Sequence, residues 1–215
     1  MKIINYLKDP LSGLLHLIGL FLAIPAMVTL IIIGHHSVWK IVSFSIYGSA
    51  LVLLFLASTL HHWLPKKWGG KQQVFRKFDH LMIYITIAAT YTPFCLLTLR
   101  GAWGWSIFGV IWTVTVIAVI FQSVFIDLPR WLTTTVYVLM GWLVLISIVP
   151  LVRNLAPGGL LFLLLGGIVY SIGGLIYTIK KPNLHPLFGF HELWHVFVLV
   201  GTICHFLALL LFVAI

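Results

Sequence analysis

Two histidines four residues apart open the last apolar run of the chain, as His191-Glu192-Leu193-Trp194-His195. On a helix this spacing puts both imidazoles on one face, about 6 Å apart along the axis. Such a pair can grip a single metal ion; it can equally be an interfacial pair hydrogen-bonded to loops or water. Ser58 and His62 repeat the spacing at the end of the second apolar run, just before Pro65. Asp79 follows two residues after Lys77, at the start of the third. Taken singly, each has a plain structural use: a serine hydroxyl back-bonds to its own helix, and an aspartate suits a helix N-terminus. The last motif also matches the helical zinc-protease pattern, in which the Glu is the base. That pattern needs a further ligand downstream. His205 lies ten positions beyond His195, about 15 Å further along a helix, so Glu192 is expected to cap the helix start or face basic loops.

These residues can act together only if the elements that carry them end in one place. The chain has 215 residues, 61% hydrophobic and 8% charged, with a mean hydropathy of +1.13. A soluble domain carries about 25% charged residues, and a disordered chain has few apolar groups, so both classes are excluded. With 18 Gly, 9 Pro and 2 Cys, collagen-like and disulfide-rich scaffolds go too. A membrane helix needs about 20 apolar residues. Seven such runs occur, at 11–33, 39–63, 78–99, 103–126, 132–152, 157–180 and 191–213. The expected fold is all-α: one domain over 1–215, an integral bundle of seven transmembrane helices. Turn-forming residues join them at 34–37, 65–77, 127–130, 156–159 and 180–186. Lys2 and Lys8 precede the first run, but it is too long for the apolar core of a signal peptide. It is expected to be a retained helix with Asp9-Pro10 as its start signal.

The net charge is +9, from 13 Lys and Arg against 4 Asp and Glu. In a membrane protein such an excess marks cytoplasmic loops and anionic headgroups rather than nucleic acid. Membrane lipids are therefore the expected partners. Ten basic residues fall on one side of the expected topology: Lys2, Lys8, Lys66, Lys67, Lys71, Arg76, Lys77, Arg130, Lys180 and Lys181. The other side has Lys40, Arg100 and Arg153. The N-terminus is then cytoplasmic and the C-terminus outside. The second span ends, and the third and seventh begin, on the cytoplasmic side. His62, Asp79, His191 and His195 thus share one depth, although 133 positions separate His62 from His195. Ionisable groups cost about 2.5–3.5 kcal/mol at a span centre and mark function. Three imidazoles with a position left open form the shell of a catalytic zinc, and a carboxylate beside them can orient a ligand or its water.

The set Ser58-x3-His62, Asp79 and His191-x3-His195 resembles the progestin-and-adipoQ receptor superfamily. Its bacterial branch, the hemolysin III family, is similar in Leu56-Ala57-Ser58-Thr59-Leu60-His61-His62, in Asp79-His80 with Thr90-Tyr91-Thr92-Pro93, and in His191 to His195 followed by Gly201 and His205-Phe206. The resemblance covers nearly the whole chain. It implies a multi-pass protein of the bacterial cell membrane with zinc near the cytoplasmic face. The ligands would be His62, His191 and His195, with Asp79 holding a zinc-bound water and Ser58 a nearby hydroxyl. It further implies a link to ceramide-type amide hydrolysis, or to the haemolysin, channel-forming and lipid-homeostasis roles given to bacterial members. With no long cytoplasmic N-terminal extension, a hormone-receptor role is not expected.

The chemistry expected of the set is metal-assisted hydrolysis of a lipid amide or ester, with Asp79 as general base and Ser58 as hydrogen-bond donor. The rival is a non-enzymatic haemolysin, pore or lipid regulator that uses zinc as a structural clamp; no span carries a regular polar stripe for a wide channel. A retinal photoreceptor needs a lysine in the last span, and none occurs from His191 to Ile215. Other polar groups receive structural expectations. His80 adjoins Asp79 in the chain but points about 100° away from it, His61 and His205 are packed or hydrogen-bonded, and His16 makes an internal contact. His35, His36 and His185 are solvated. Cys95 and Cys204 are reduced packing residues. Trp63, Trp68, Trp103, Trp105 and Trp131 belong to an interfacial belt, and Gly166, Gly167, Gly173 and Gly174 to close helix packing.

Overall fold

The computed structural model describes residues 7–65, 69–125 and 128–215. Lys2, Lys66, Lys67, Trp68, position 126 at the end of the fourth run and position 127 of the 127–130 turn lie outside the described residues, as does the side chain of Lys71. The described chain runs α1 (Pro10–Ile33), α2 (Val38–Trp63), α3 (Gly69–Pro93), α4 (Gly101–Val124), α5 (Arg130–Trp142), α6 (Ile148–Asn154), α7 (Pro157–Ile179) and α8 (Phe190–Leu209). These make seven stretches long and apolar enough to cross a membrane, with α5 and α6 sharing the fifth.

Local chemistry sets the ends. Proline takes the first position of α1 and α7, where a missing N–H costs nothing. The Ser37 hydroxyl accepts from Lys40 N at the start of α2. Lipid-side residues such as Phe21, Ile117, Leu139 and Leu175 are exposed, as expected where the surrounding solvent is acyl chain. The interior is built on α2 and α3, each 56% buried against 22–28% for the other spans. Trp103, Trp105 and Trp131 are exposed, whereas Trp63 turns inward and donates Nε1 to Pro10 O (3.1 Å). α7 packs closely on α8 through its glycines. A Cβ on Gly173 would meet Phe197 at 2.7 Å, and one on Gly166 would meet the His205 ring at 2.3 Å. Cys95 and Cys204 are both free.

Two elements differ from the sequence expectation. The segment 65–77 is not all loop, because α3 begins at Gly69. Its first turns are polar, and hydropathy locates the apolar stretch of a helix rather than its polar extension. The fifth span is not one regular helix either. Leu143–Ser147 tightens to a 3-10 segment between α5 and α6. The Tyr91 hydroxyl, from α3, approaches Met140 O (2.8 Å) and Gly141 O (2.7 Å) and accepts from Val144 N (2.9 Å). A side chain inserted into the backbone ladder is a recognised cause of a helix break.

Six helix ends and an early turn of α3 meet at one end of the bundle. Asp9 N, entering α1, donates to His62 O at the end of α2 (3.1 Å). Lys77 of α3 donates to Ser123 O of α4. Arg130 at the start of α5 lies over the ring of Tyr177 late in α7 (4.5 Å) and that of Phe190 at the start of α8 (5.4 Å).

Candidate metal centre

α2 delivers His62 in its last turn, and α8 delivers His191 and His195 from its first two turns. One ring nitrogen from each lies within 4.8 Å of the other two. His62 Nε2 and His191 Nε2 are 3.5 Å apart. Ring centroids are 5.1 Å apart for His62 and His191, 4.9 Å for His62 and His195, and 4.6 Å for His191 and His195. Two imidazoles bound at roughly 2.0–2.1 Å on a tetrahedral ion have nitrogens about 3.3 Å apart, so this donor set fits one cation. The state of His195 points the same way. It is 3% exposed, and neither ring nitrogen has a hydrogen-bond partner. Buried polar atoms are rarely left in this state unless a ligand or water completes them.

The protonation of His62 follows from its neighbour. Its Nδ1 lies 3.2 Å from Asp9 Oδ2. Burial would raise the Asp9 carboxyl, but the His62 hydrogen bond and the charge of Lys8 hold it down at about 2. An ionised carboxylate only accepts. A His62 ring that ligates through Nε2 therefore keeps its proton on Nδ1, facing Asp9, with Nε2 on the side of His191.

Asp79 is 8% exposed and forms a second compact group with His61 and His62, again with donor atoms within 4.8 Å. Lys8 Nζ lies 3.3 Å from His61 Nε2 there, and an ammonium opposes a cation. With His62 Nδ1 also taken, the three-imidazole set is the better metal shell and Asp79 is the carboxylate beside it. Ser58 is fully buried on α2, within electrostatic reach of Asp79, and its hydroxyl makes no hydrogen bond of ordinary geometry. Glu192 has both oxygens engaged, accepting from Ser12 Oγ (2.7 Å) and Gly189 N (2.9 Å). It caps α8 and ties it to α1, and is not placed as a free base. His205 turns its Nε2 to Leu163 O (3.3 Å) on α7. His80 lines the cavity described next, while His35, His36 and His185 are exposed.

The cluster opens on a cavity of about 800 Å³ that runs from His62 and Asp79 past Tyr91 and Trp142 to Leu163 and His205. Its walls are mainly apolar beyond the cluster. The volume suits a small-molecule or acyl ligand.

Sequence reasoning missed two members of this neighbourhood. Asp9 was read only as a helix start, yet its side chain makes no cap bond and is directed to His62. His16 is 4% exposed, has two unpartnered nitrogens and stacks edge-on to His195, with centroids 4.0 Å apart. The signal was there: Asp9, Ser12 and His16 stand at i, i+3 and i+7, one helical face, in a run otherwise apolar except for Thr29.

A seven-helix membrane bundle with an imidazole cluster buried at one end defines the class of this protein. The chain belongs to the haemolysin-III related family, whose model matches residues 4–206. It is 37% identical to Hemolysin-3 of Bacillus cereus, over 99% of this chain and 95% of that protein. It is 39% identical to the Hemolysin-3 homolog of Bacillus subtilis (strain 168), over 94% and 92%. A more distant relative is the monocyte to macrophage differentiation factor of Homo sapiens, 27% identical over 88% of this chain and 79% of that protein. With its seven spans and bacterial relatives, the chain is a multi-pass protein of the bacterial cell membrane.

Proposed function

We propose that this protein is a zinc-dependent membrane hydrolase acting on a lipid amide or ester. The observation that carries the reading is the three-imidazole cluster opening directly on the cavity of about 800 Å³. In this reading the cluster lies at the cytoplasmic face, where Lys8, Arg76, Lys77 and Arg130 gather. Neutral imidazoles suit zinc, and His62, His191 and His195 hold it. When bound, zinc supplies Lewis acidity toward a carbonyl and activates water near neutral pH. Asp79 takes the proton of the attacking water and passes it to the leaving amine or alcohol. Ser58 Oγ donates to the Asp79 carboxylate or the substrate carbonyl. The apolar stretch toward Leu163 and His205 takes an acyl chain and keeps bulk water away.

The name Hemolysin-3 of a relative carries a second reading to this chain, membrane lysis with zinc as a clamp. Asp79 shares a compact group with His62 but not with His191 and His195, so in this reading its side chain moves toward them to become a fourth, closing ligand. Metal analysis of detergent-purified wild type beside His191→Ala, with lipid turnover assayed on the same preparations, separates the readings. Hydrolysis predicts zinc near one per chain, lost in His191→Ala. It also predicts that Asp79→Asn keeps the metal while turnover falls by about 10²-fold or more. Metal that needs Asp79, with no turnover in wild type, establishes the clamp. Wild type without metal refutes both.

A further inference from the structure

We infer that Asp9 is a positioning residue of the metal centre: it holds the His62 ring in the tautomer and orientation that present Nε2 to the ion. The inference rests on the metal reading above and adds a residue outside the ligand set. Four observations carry it.

First, Asp9 grips His62 at two points. Its Oδ2 accepts from Nδ1 (3.2 Å), and its backbone N–H donates to His62 O (3.1 Å). Second, this use displaces the ordinary one. Asp9 sits at the N-cap of α1, where an aspartate normally bonds the backbone of the first turn, and its side chain makes no such bond. Third, the His62 side chain is 2% exposed, so no competing bulk water reaches its ring. Fourth, Lys8 Nζ stands 3.4 Å from the same Oδ2, a second contact that restrains the carboxylate.

The physical role is that of a carboxylate behind a metal-bound imidazole. It fixes which nitrogen bears the proton, restrains ring rotation and raises the basicity of the ligating nitrogen. Without it, Nδ1–H of His62 loses its acceptor and the ring is free to present either nitrogen to His191. α1 thereby contributes to the centre without touching the ion.

The test uses the full chain in detergent or lipid nanodiscs. The affinity for zinc is measured by competition with a chromophoric chelator, and the visible bands of the cobalt(II)-substituted protein are recorded. Asp9→Ala is expected to weaken zinc binding by about 10–100-fold and to shift the cobalt bands. Asp9→Asn keeps the shape and an acceptor oxygen but loses the charge-assisted bond. It should recover part of the affinity and fall between Asp9→Ala and wild type. Trp63→Phe removes a different tether of α1, the bond to Pro10 O, and should leave zinc affinity within about twofold of wild type. If Asp9→Ala does not fold, Asp9→Asn against wild type decides alone. Asp9 variants that bind zinc within twofold of wild type, with unshifted cobalt bands, overturn the positioning role while the metal reading stands. Trp63→Phe weakening zinc as much as Asp9→Ala overturns it as well, because any loosening of α1 would then suffice. Wild type that binds no zinc overturns the metal reading and this inference together.

Discussion

Replacing His195 by leucine should make the metal-free protein more stable and at the same time abolish its response to zinc. A neutral imidazole carries one donor and one acceptor. In His195 both are buried without a partner. Each such atom costs about 1–3 kcal/mol, so the pair costs about 2–6 kcal/mol. Leucine has a similar volume and no polar atom, and its imperfect fit costs about 1.5 kcal/mol or less. With the full misfit cost, the net gain is about 0.5–4.5 kcal/mol. At about 2–4 °C per kcal/mol for a chain of this size, the chelator-treated variant should unfold several degrees above chelator-treated wild type. Zinc at 100 times its dissociation constant should stabilise wild type by about 2.7 kcal/mol and leave the variant where it was. The assay is thermal unfolding of purified protein across a zinc titration. A metal-free variant less stable than metal-free wild type would mean that the nitrogens of His195 have partners after all. Equal zinc shifts in both proteins would mean that His195 is not a ligand. Either result removes the main physical reason for placing a metal here.

Three further outcomes follow from packing around the site. Tyr91→Phe strips the hydroxyl that serves Met140 O, Gly141 O and Val144 N; it should cost about 1–3 kcal/mol in thermal unfolding without changing zinc content. Gly166→Ala would push a methyl to 2.3 Å from the His205 ring and dislodge it from Leu163 O; overpacking of this kind costs about 1–3 kcal/mol, read as a lower melting temperature. Ser12→Ala leaves Glu192 Oε1 without its donor; a hydrogen bond to a charged group contributes about 1.5–3 kcal/mol, so thermal unfolding should show a loss of that size.

The seven spans were legible because each must present about 20 apolar residues, and nothing else in the chain competes with that signal. What hydropathy could not see was the break at Leu143–Ser147, because its cause lies in another span: Tyr91 is far from Val144 in sequence, and its hydroxyl enters the ladder only once α3 and α5 are packed. Nor could it see the polar extension of α3 from Gly69. The grouping of His62, His191 and His195 was legible for a different reason. The alternation of the spans and the charge asymmetry put the end of the second span and the start of the seventh on one side, and the four-residue spacing independently puts His191 and His195 on one helix face. Asp9 escaped because it had a ready local explanation as a helix start, and His16, expected to make an internal contact, because nothing in the sequence named the partner. Only the distance from Asp9 Oδ2 to His62 Nδ1 and the contact of His16 with His195 show that the first helix has a polar face turned to the cluster.

That polar face bears on whether the centre is a clamp or a place where chemistry happens. A clamp needs ligands that close around an ion and has no use for free space. Here α1 braces the two ligand-bearing helices from outside the ligand set, through Asp9 to His62 on α2 and through Ser12 to Glu192 on α8. The bracing residues Asp9 and Glu192 and the three imidazoles line one and the same cavity of about 800 Å³. Ser58 adds a buried hydroxyl beside the Asp79 carboxyl that makes no hydrogen bond of ordinary geometry. Unpaired imidazoles and a bare hydroxyl are expensive to keep in an apolar bundle, and a rigid support behind them would be wasted on groups that only fill space. A centre held by hydrogen bonds and bordering open space gives an ion and a reacting carbonyl room to meet, and on this ground we propose catalysis over a purely structural metal.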